Sequence, residues 1–107
     1  MAKTRGTGLL MVWADIDPQF EAEYHRWYDE EHIANLLAVP GFLSAGRYVA
    51  VGAQPKYLTL YEFENATVSE SEKWDKARDG NPWSRRIRAF MRHDVGSPGV
   101  YRRIYPK

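Results

Sequence analysis

Nine consecutive residues, Tyr24-His25-Arg26-Trp27-Tyr28-Asp29-Glu30-Glu31-His32, bring together two imidazoles, three carboxylates, two phenols and a guanidinium. On a helix, successive side chains rotate by about 100°. Phe20, Tyr24, Trp27, Glu31 and Asn35 then share one face, with Tyr28 at its edge. His25, His32 and Leu36 form an adjacent stripe. The three aromatics read as core. Glu31 is the anomaly, because a carboxylate that extends an apolar stripe must pair, accept hydrogen bonds or shift its pKa. Arg47, which interrupts an apolar strand, is a candidate partner. The alternative is a helix irregularity that turns Glu31 to solvent, and the pattern leaves both open. His32 lies near the end of this helix. Its reference pKa of about 6.5 suits a general acid or base, with Glu31 or Tyr28 to orient it. The same imidazole also suits a capping or ring-packing role.

Metal binding is not expected. His25 and His32 stand seven residues apart, His-Glu-x-x-His is absent and no third ligand is evident. His93 falls in a segment that the pattern does not assign.

The elements that must position these groups follow from the periodicity. Gly8 to Ile16 reads as a strand, stopped by Asp17-Pro18, a cap with proline at the first helical position. Pro18 to about Val39 suits a helix, irregular after His32 and ended by Pro40-Gly41. Phe42 to Val51 and Lys56 to Glu64 read as a hairpin around Gly52-Ala53-Gln54-Pro55. Ser69-Glu70-Ser71-Glu72 resembles a capping box that opens a second helix near residue 70. Gly80-Asn81-Pro82 interrupts it, Trp83 to Met91 resumes helical structure, and Val100 to Tyr105 is a final strand. The order βαββαβ predicts an α+β, ferredoxin-like domain over residues 1–107, with a four-stranded antiparallel sheet and two helices on one face.

Two helices cover one sheet face only, yet the strands do not alternate cleanly. Leu9, Met11 and Trp13 oppose Leu10, Val12, Ala14 and Ile16. Leu43, Ala45, Val49 and Val51 oppose Phe42, Tyr48 and Ala50. Leu58 and Leu60 oppose Tyr57, Tyr61 and Phe63. An apolar face of this extent calls for cover, and face-to-face packing of two copies about a two-fold axis supplies it. A homodimer through the sheet face is the expectation.

Bulk properties bound the rest. The length of 107 residues fits one domain, and 44% apolar content argues against disorder. A net charge of +1 gives no global pull toward nucleic acid or anionic lipid. The basic run Arg85-Arg86-Ile87-Arg88, with Arg92, reads as a solvated helix face compensating the helix dipole. With no cysteine there is no disulfide and no thiol chemistry. No run is long and apolar enough to span a membrane, and the N-terminus lacks a signal-peptide pattern, so a cytoplasmic location is the default. Phosphate loops, dinucleotide fingerprints and nucleophile elbows are missing, so no cofactor is expected. Aromatic residues at 14% invite comparison with sheet-face RNA binders, but no corresponding motif accompanies them.

Glu23-Tyr24-His25-Arg26-Trp27-Tyr28-Asp29-Glu30-Glu31-His32-Ile33, then Val39-Pro40-Gly41-Phe42-Leu43-Ser44-Ala45 and Arg47-Tyr48, together with Tyr57 to Phe63 and Pro82-Trp83, resemble the EthD-like branch of the dimeric α+β barrel superfamily. The resemblance covers most of the chain from about residue 8. It implies homodimers whose sheets close into a shared barrel, and a pocket in each subunit between sheet and helices. Relatives include cofactor-free monooxygenases, lactone isomerases, polyketide cyclases and dehydratases. The histidine matched by His32 is the pocket position carried over. The expected function is therefore a cofactor-independent enzyme acting on a small aromatic or cyclic oxygenated molecule by isomerisation, cyclisation or elimination, or by oxygenation of a phenol. In that reading His32 moves the proton while Glu31 and Tyr28 orient it or bind a substrate oxygen. Arg47 neutralises Glu31 or stabilises an enolate-like charge. Trp13, Tyr48, Tyr61 and His25 complete the substrate-binding set. The rival readings are a non-catalytic dimer that holds a hydrophobic metabolite and, more weakly, a nucleic-acid-binding sheet.

Overall fold

The computed structural model describes residues 6–93 and 96–105. Strand β1 (Gly8–Ile16) lies inside an antiparallel sheet, paired on one side with β3 (Tyr57–Phe63), which in turn pairs with β2 (Phe42–Val49). The other side of β1 is occupied by two short strands, β4 (Met91–His93) and β5 (Gly99–Arg102), at its opposite ends. The fourth position of the expected sheet is thus filled by one edge strand in two pieces. Met91, expected at a helix end, starts the first piece. Past Arg102 the ladder continues only through Arg103 N–H to Thr7 C=O at 2.7 Å.

All helices cover one face. A 3₁₀ turn (Pro18–Phe20) leads into α1 (Glu21–Trp27), a π-helical turn (Tyr28–His32) and α2 (Ile33–Leu37), one continuous rod. A second 3₁₀ turn (Ala66–Glu70) precedes α3 (Glu72–Asp79) and α4 (Pro82–Arg88). Each start has a side-chain cap. Asp17 accepts from Gln19 N–H at 3.0 Å, Ser71 from Trp74 N–H at 3.1 Å, and Asn81 from Ser84 N–H at 2.8 Å. The cap of α3 is therefore Ser71 and not Ser69, whose hydroxyl donates to Ala66 C=O within the preceding turn. No helix of the described residues is long and apolar enough to cross a membrane.

Gly41 sets the angle between rod and sheet. Its φ of +89° is unfavourable for any residue with a side chain, and a Cβ there would lie 2.6 Å from Val68 Cγ2. The chain turns here from α2 into β2. The first residues of β2 then carry a β-bulge, since Phe42 faces Phe63 but Ser44 faces Glu62. The extra residue flips Phe42 onto the side of Ala45, Arg47 and Val49, away from Tyr48. This corrects the simple alternation expected for the strand.

The core lies between this face and the helices. Trp74 of α3 packs against Phe42, Tyr61 and Phe63 with centroids 5.0 to 6.0 Å apart. Trp27 of α1, fully buried, donates its indole N–H to Ser84 Oγ of α4 at 3.1 Å. Arg86 closes the same helix pair from outside, forking onto Glu23 at 3.0 and 3.1 Å. The other sheet face has no helix. Met11 lies opposite Leu60, Trp13 opposite Leu58 and Leu9 beside Tyr101, and Tyr48 and Tyr101 are about half exposed.

Candidate active site

The helix rod brings His32 inward through its π turn. Ile33 N–H donates to Tyr28 C=O, five residues back, so one residue more than an α-turn allows is accommodated. In an unbroken α-helix Glu31 would follow Trp27 on the inner stripe. The wide turn slips the register by one, and His32 and Leu36 become buried while Glu31 is half-buried and Asn35 is exposed. The physical preference is clear, because burying a carboxylate without a partner costs far more than one wide turn. The irregularity is present and takes Glu31 off the inner stripe, but only part of the way to solvent. Arg47 makes no ion pair with Glu31 among the described residues. Glu31 Oε1 is nevertheless shielded from solvent and has no donor.

His32 stacks on the Trp27 indole, with centroids 4.1 Å apart and planes at 20°, and meets Tyr28 edge-on at 5.3 Å. The five-residue step from Trp27 to His32 is the spacing that a π turn superposes. Burial, then the positive fields of Arg88 and Arg78, push the imidazole down to about 3. His32 is therefore neutral at physiological pH. Its Nδ1 is buried without a hydrogen-bond partner.

His32 lines a cavity of about 400 Å³ between sheet and helices. That volume suits a small organic ligand. Trp27, Tyr28, Tyr61 and Trp74 supply aromatic walls, while Leu10, Val12, Leu36 and Met91 supply aliphatic ones. Burial, with the Tyr28 hydroxyl beside it, raises Tyr61 well above the ordinary phenol range. Polar groups cluster on the α3–α4 side. Asp79 holds Arg78 at 2.8 Å and lies 3.1 Å from Arg88 Nε, yet that N–H is not aligned with the carboxylate and lacks an acceptor. The Arg88 guanidinium also stands 5.8 Å from the Trp27 ring centroid. His93 reaches the same cavity, its imidazole lowered by burial and by Arg88.

Tyr28, His32 and Tyr61 are thus the sequence-derived site residues that the structure brings together at the cavity. Arg47 and His25 lie in a separate cluster. The Arg47 guanidinium can only donate, so its 3.2 Å contact makes His25 Nδ1 the acceptor. Neutral His25 then carries its proton on Nε2, which donates to the Tyr57 hydroxyl at 3.1 Å, and Tyr57 donates to Glu21. Lys56 completes this chain on Glu21 at 2.7 Å. Arg47 reaches the cavity only indirectly, covering the Tyr28 ring at 4.1 Å. Trp13 and Tyr48 lie on the opposite sheet face, around an open hollow of about 390 Å³.

Arg88 belongs to the run that the sequence reads as a solvated basic face, and Arg78 and Asp79 are not singled out by the sequence at all. The sequence holds no signal for Arg88, because the burial of Ser84, one turn before it, and of Ile87 beside it comes from the packing of α4. Among the described residues no three carboxylate or imidazole groups converge as a metal site.

No protein-family model matches the sequence, and no curated protein matches it. Solved structures do. A conserved protein of unknown function from Bacteroides thetaiotaomicron, described as a possible oxidoreductase, superposes with a TM-score of 0.64 at 10% identity, over 92% of this chain and 99% of that one. An EthD family protein from Bacillus halodurans gives 0.60 at 9% identity, over 92% and 98%. SnoaB of Streptomyces nogalater, a cofactor-independent oxygenase, gives 0.54 at 15% identity, over 94% and 96%. At such identities the likeness shows a shared fold alone, the ferredoxin-like α+β fold that the sequence resemblance implied.

Proposed function

We propose that this chain is the subunit of a homodimeric, cofactor-independent enzyme that transfers a proton on a small aromatic or cyclic oxygenated molecule bound against His32. One observation carries this reading: a neutral, buried imidazole with an unpartnered nitrogen on the wall of an aromatic cavity of about 400 Å³.

With no counter-charge beside it His32 is a weak base, since burial and two guanidinium groups oppose its charge. A substrate changes that balance. As the imidazole takes a proton from an acidic C–H or O–H, the anion left behind is a counter-charge that favours imidazolium. Arg88 faces that developing anion and takes the charge-stabilising role that the sequence pattern assigns to Arg47. Tyr28 holds the imidazole edge-on, and the Trp27 stack fixes its plane. Returning the proton to another atom of the substrate gives isomerisation or cyclisation, and losing a leaving group gives elimination. Oxygenation of an electron-rich phenolate is the variant supported by the fold shared with SnoaB. Dioxygen is then the oxidant: one oxygen atom enters the ring and the other leaves as water, as a ring carbon is oxidised to a carbonyl.

A non-catalytic binding dimer is the second reading, and the low basicity of His32 favours it. The test is a panel of naphthols, hydroquinones and enol lactones, followed by absorbance and oxygen uptake with wild type, His32→Ala and His32→Gln. Turnover is expected to fall about 100-fold or more in both variants, with folding and assembly unchanged. Turnover that survives in both variants removes His32 from the chemistry. Ligand-induced thermal stabilisation without turnover selects the binding protein.

A further inference from the structure

We propose that the cavity is selective for an aromatic acid: a planar ring bearing a carboxylate or an ionised hydroxyl, with the ring among the Trp27, Trp74 and Tyr61 side chains and the anionic oxygen on Arg88. The inference rests on the reading that the His32 cavity is the ligand site, and it names the chemical class that this site takes.

Three observations converge on it. The cavity wall carries two guanidinium groups, Arg78 and Arg88, around one carboxylate, Asp79. Arg78 is shared between Asp79 and Asp75, which stands 3.5 Å from it outside the cavity lining, so Arg88 is the less compensated of the two. The Arg88 Nε–H and His32 Nδ1 are both buried and both lack a partner, and both groups pack against the Trp27 indole. A buried N–H without an acceptor is a standing cost that a ligand oxygen removes. Arg88 can only donate. An anionic group also accepts from His32 once that ring holds its proton on Nδ1. A neutral ring of the same shape would fill the aromatic walls and leave the Arg88 Nε–H without an acceptor. A cationic ligand would meet two like charges.

The other function open to these arginines is structural, joining α3 to α4 through Asp79. Ligand charge separates the two roles. Binding of 2-naphthoate and of the neutral 2-naphthalenemethanol is measured at pH 7.5 by calorimetry and by quenching of tryptophan fluorescence. Wild type should bind naphthoate at least about tenfold more tightly. Arg88→Gln should bring the two affinities within about threefold, while Lys76→Gln, an exposed charge on α3, should leave the preference intact. Arg88→Lys should retain part of it, keeping the charge but losing the fork. If Arg88→Gln does not fold by circular dichroism, Arg78→Gln serves, with a smaller loss of preference expected.

Equal affinities in wild type, a preference that outlives Arg88→Gln, or no binding of either probe would each overturn the inference. Anion preference without turnover on any substrate upholds it and removes the enzymatic reading alone. Turnover of neutral substrates with no anion preference does the reverse.

Discussion

His32 and His25 lie on the same helix rod, and burial holds both imidazoles below their ordinary titration range, His32 at about 3. The unfolded chain titrates near 6.5, so below that pH it binds protons that the folded chain refuses. Stability from these groups is present above about pH 6.5 and is lost as pH falls toward the folded values. For His32 the slope is about 1.4 kcal/mol per pH unit below 6. Urea unfolding of wild type between pH 7.5 and 4.5 should show this decline, and His32→Gln should flatten it by about that slope. An unchanged slope would mean that His32 is not desolvated. Arg47 acts on His25 in the same sense, as a cation opposing a second positive charge, after burial itself. In Arg47→Met the His25 titration, followed by NMR, should move upward. The variant should also lose about 1 kcal/mol of stability as the guanidinium leaves the Tyr28 face.

The π turn is the element on which the site depends. Leu36 after it and Trp27 before it are both fully buried, so the intervening residues must include one more than an α-helix needs. Asp29 and Glu30 sit exposed on the outside of that turn. Deleting Glu30 should therefore be tolerated: His32 and Leu36 keep their inward positions on a regular helix, and the thermal transition stays cooperative. The same deletion at the exposed Asn35 should rotate Leu36 out of the core and cost about 2–5 kcal/mol, the range for emptying a buried leucine site. Comparable melting temperatures for the two deletions would contradict the register argument. The bulge at the start of β2 performs the equivalent service in the sheet. It lets Phe42 pack on Trp74 while Tyr48, six residues on, faces the other side.

At the scale of the molecule, the uncovered sheet face is the feature that the single chain leaves unbalanced. Leu9, Met11, Trp13, Leu58 and Leu60 lie on it, flanked by Tyr48 and Tyr101. A face of this character belongs against another apolar surface, and a second copy presents an identical one. Wild type should sediment at twice the chain mass of 12.4 kDa at micromolar concentration. Leu60→Arg, which sets a charge opposite Met11, should sediment as the single chain while keeping its far-ultraviolet spectrum. A wild-type monomer at that concentration would sink the dimer and leave this face without an occupant.

The sequence by itself determined the order and, to within two residues, the bounds of β1, the helix rod, β2 and β3, and an apolar stripe on both sheet faces. It did not show β4, and it ran the last strand three residues past Arg102. The features it determined are local and periodic signals, and turn residues such as Gly41 and Pro82 mark their ends. It also singled out His32, Tyr28 and Tyr61. Only the tertiary structure decided which residue of the Glu31–His32 pair points inward, because that choice balances carboxylate burial against one wide helical turn and depends on Leu36 finding the core. It likewise placed Arg88 on the cavity and Arg47 behind Tyr28. Both are arginines near apolar neighbours in the sequence. What separates them is the packing of α4 against the helix rod and the bulge in β2, and those long-range contacts leave no periodic trace in the chain.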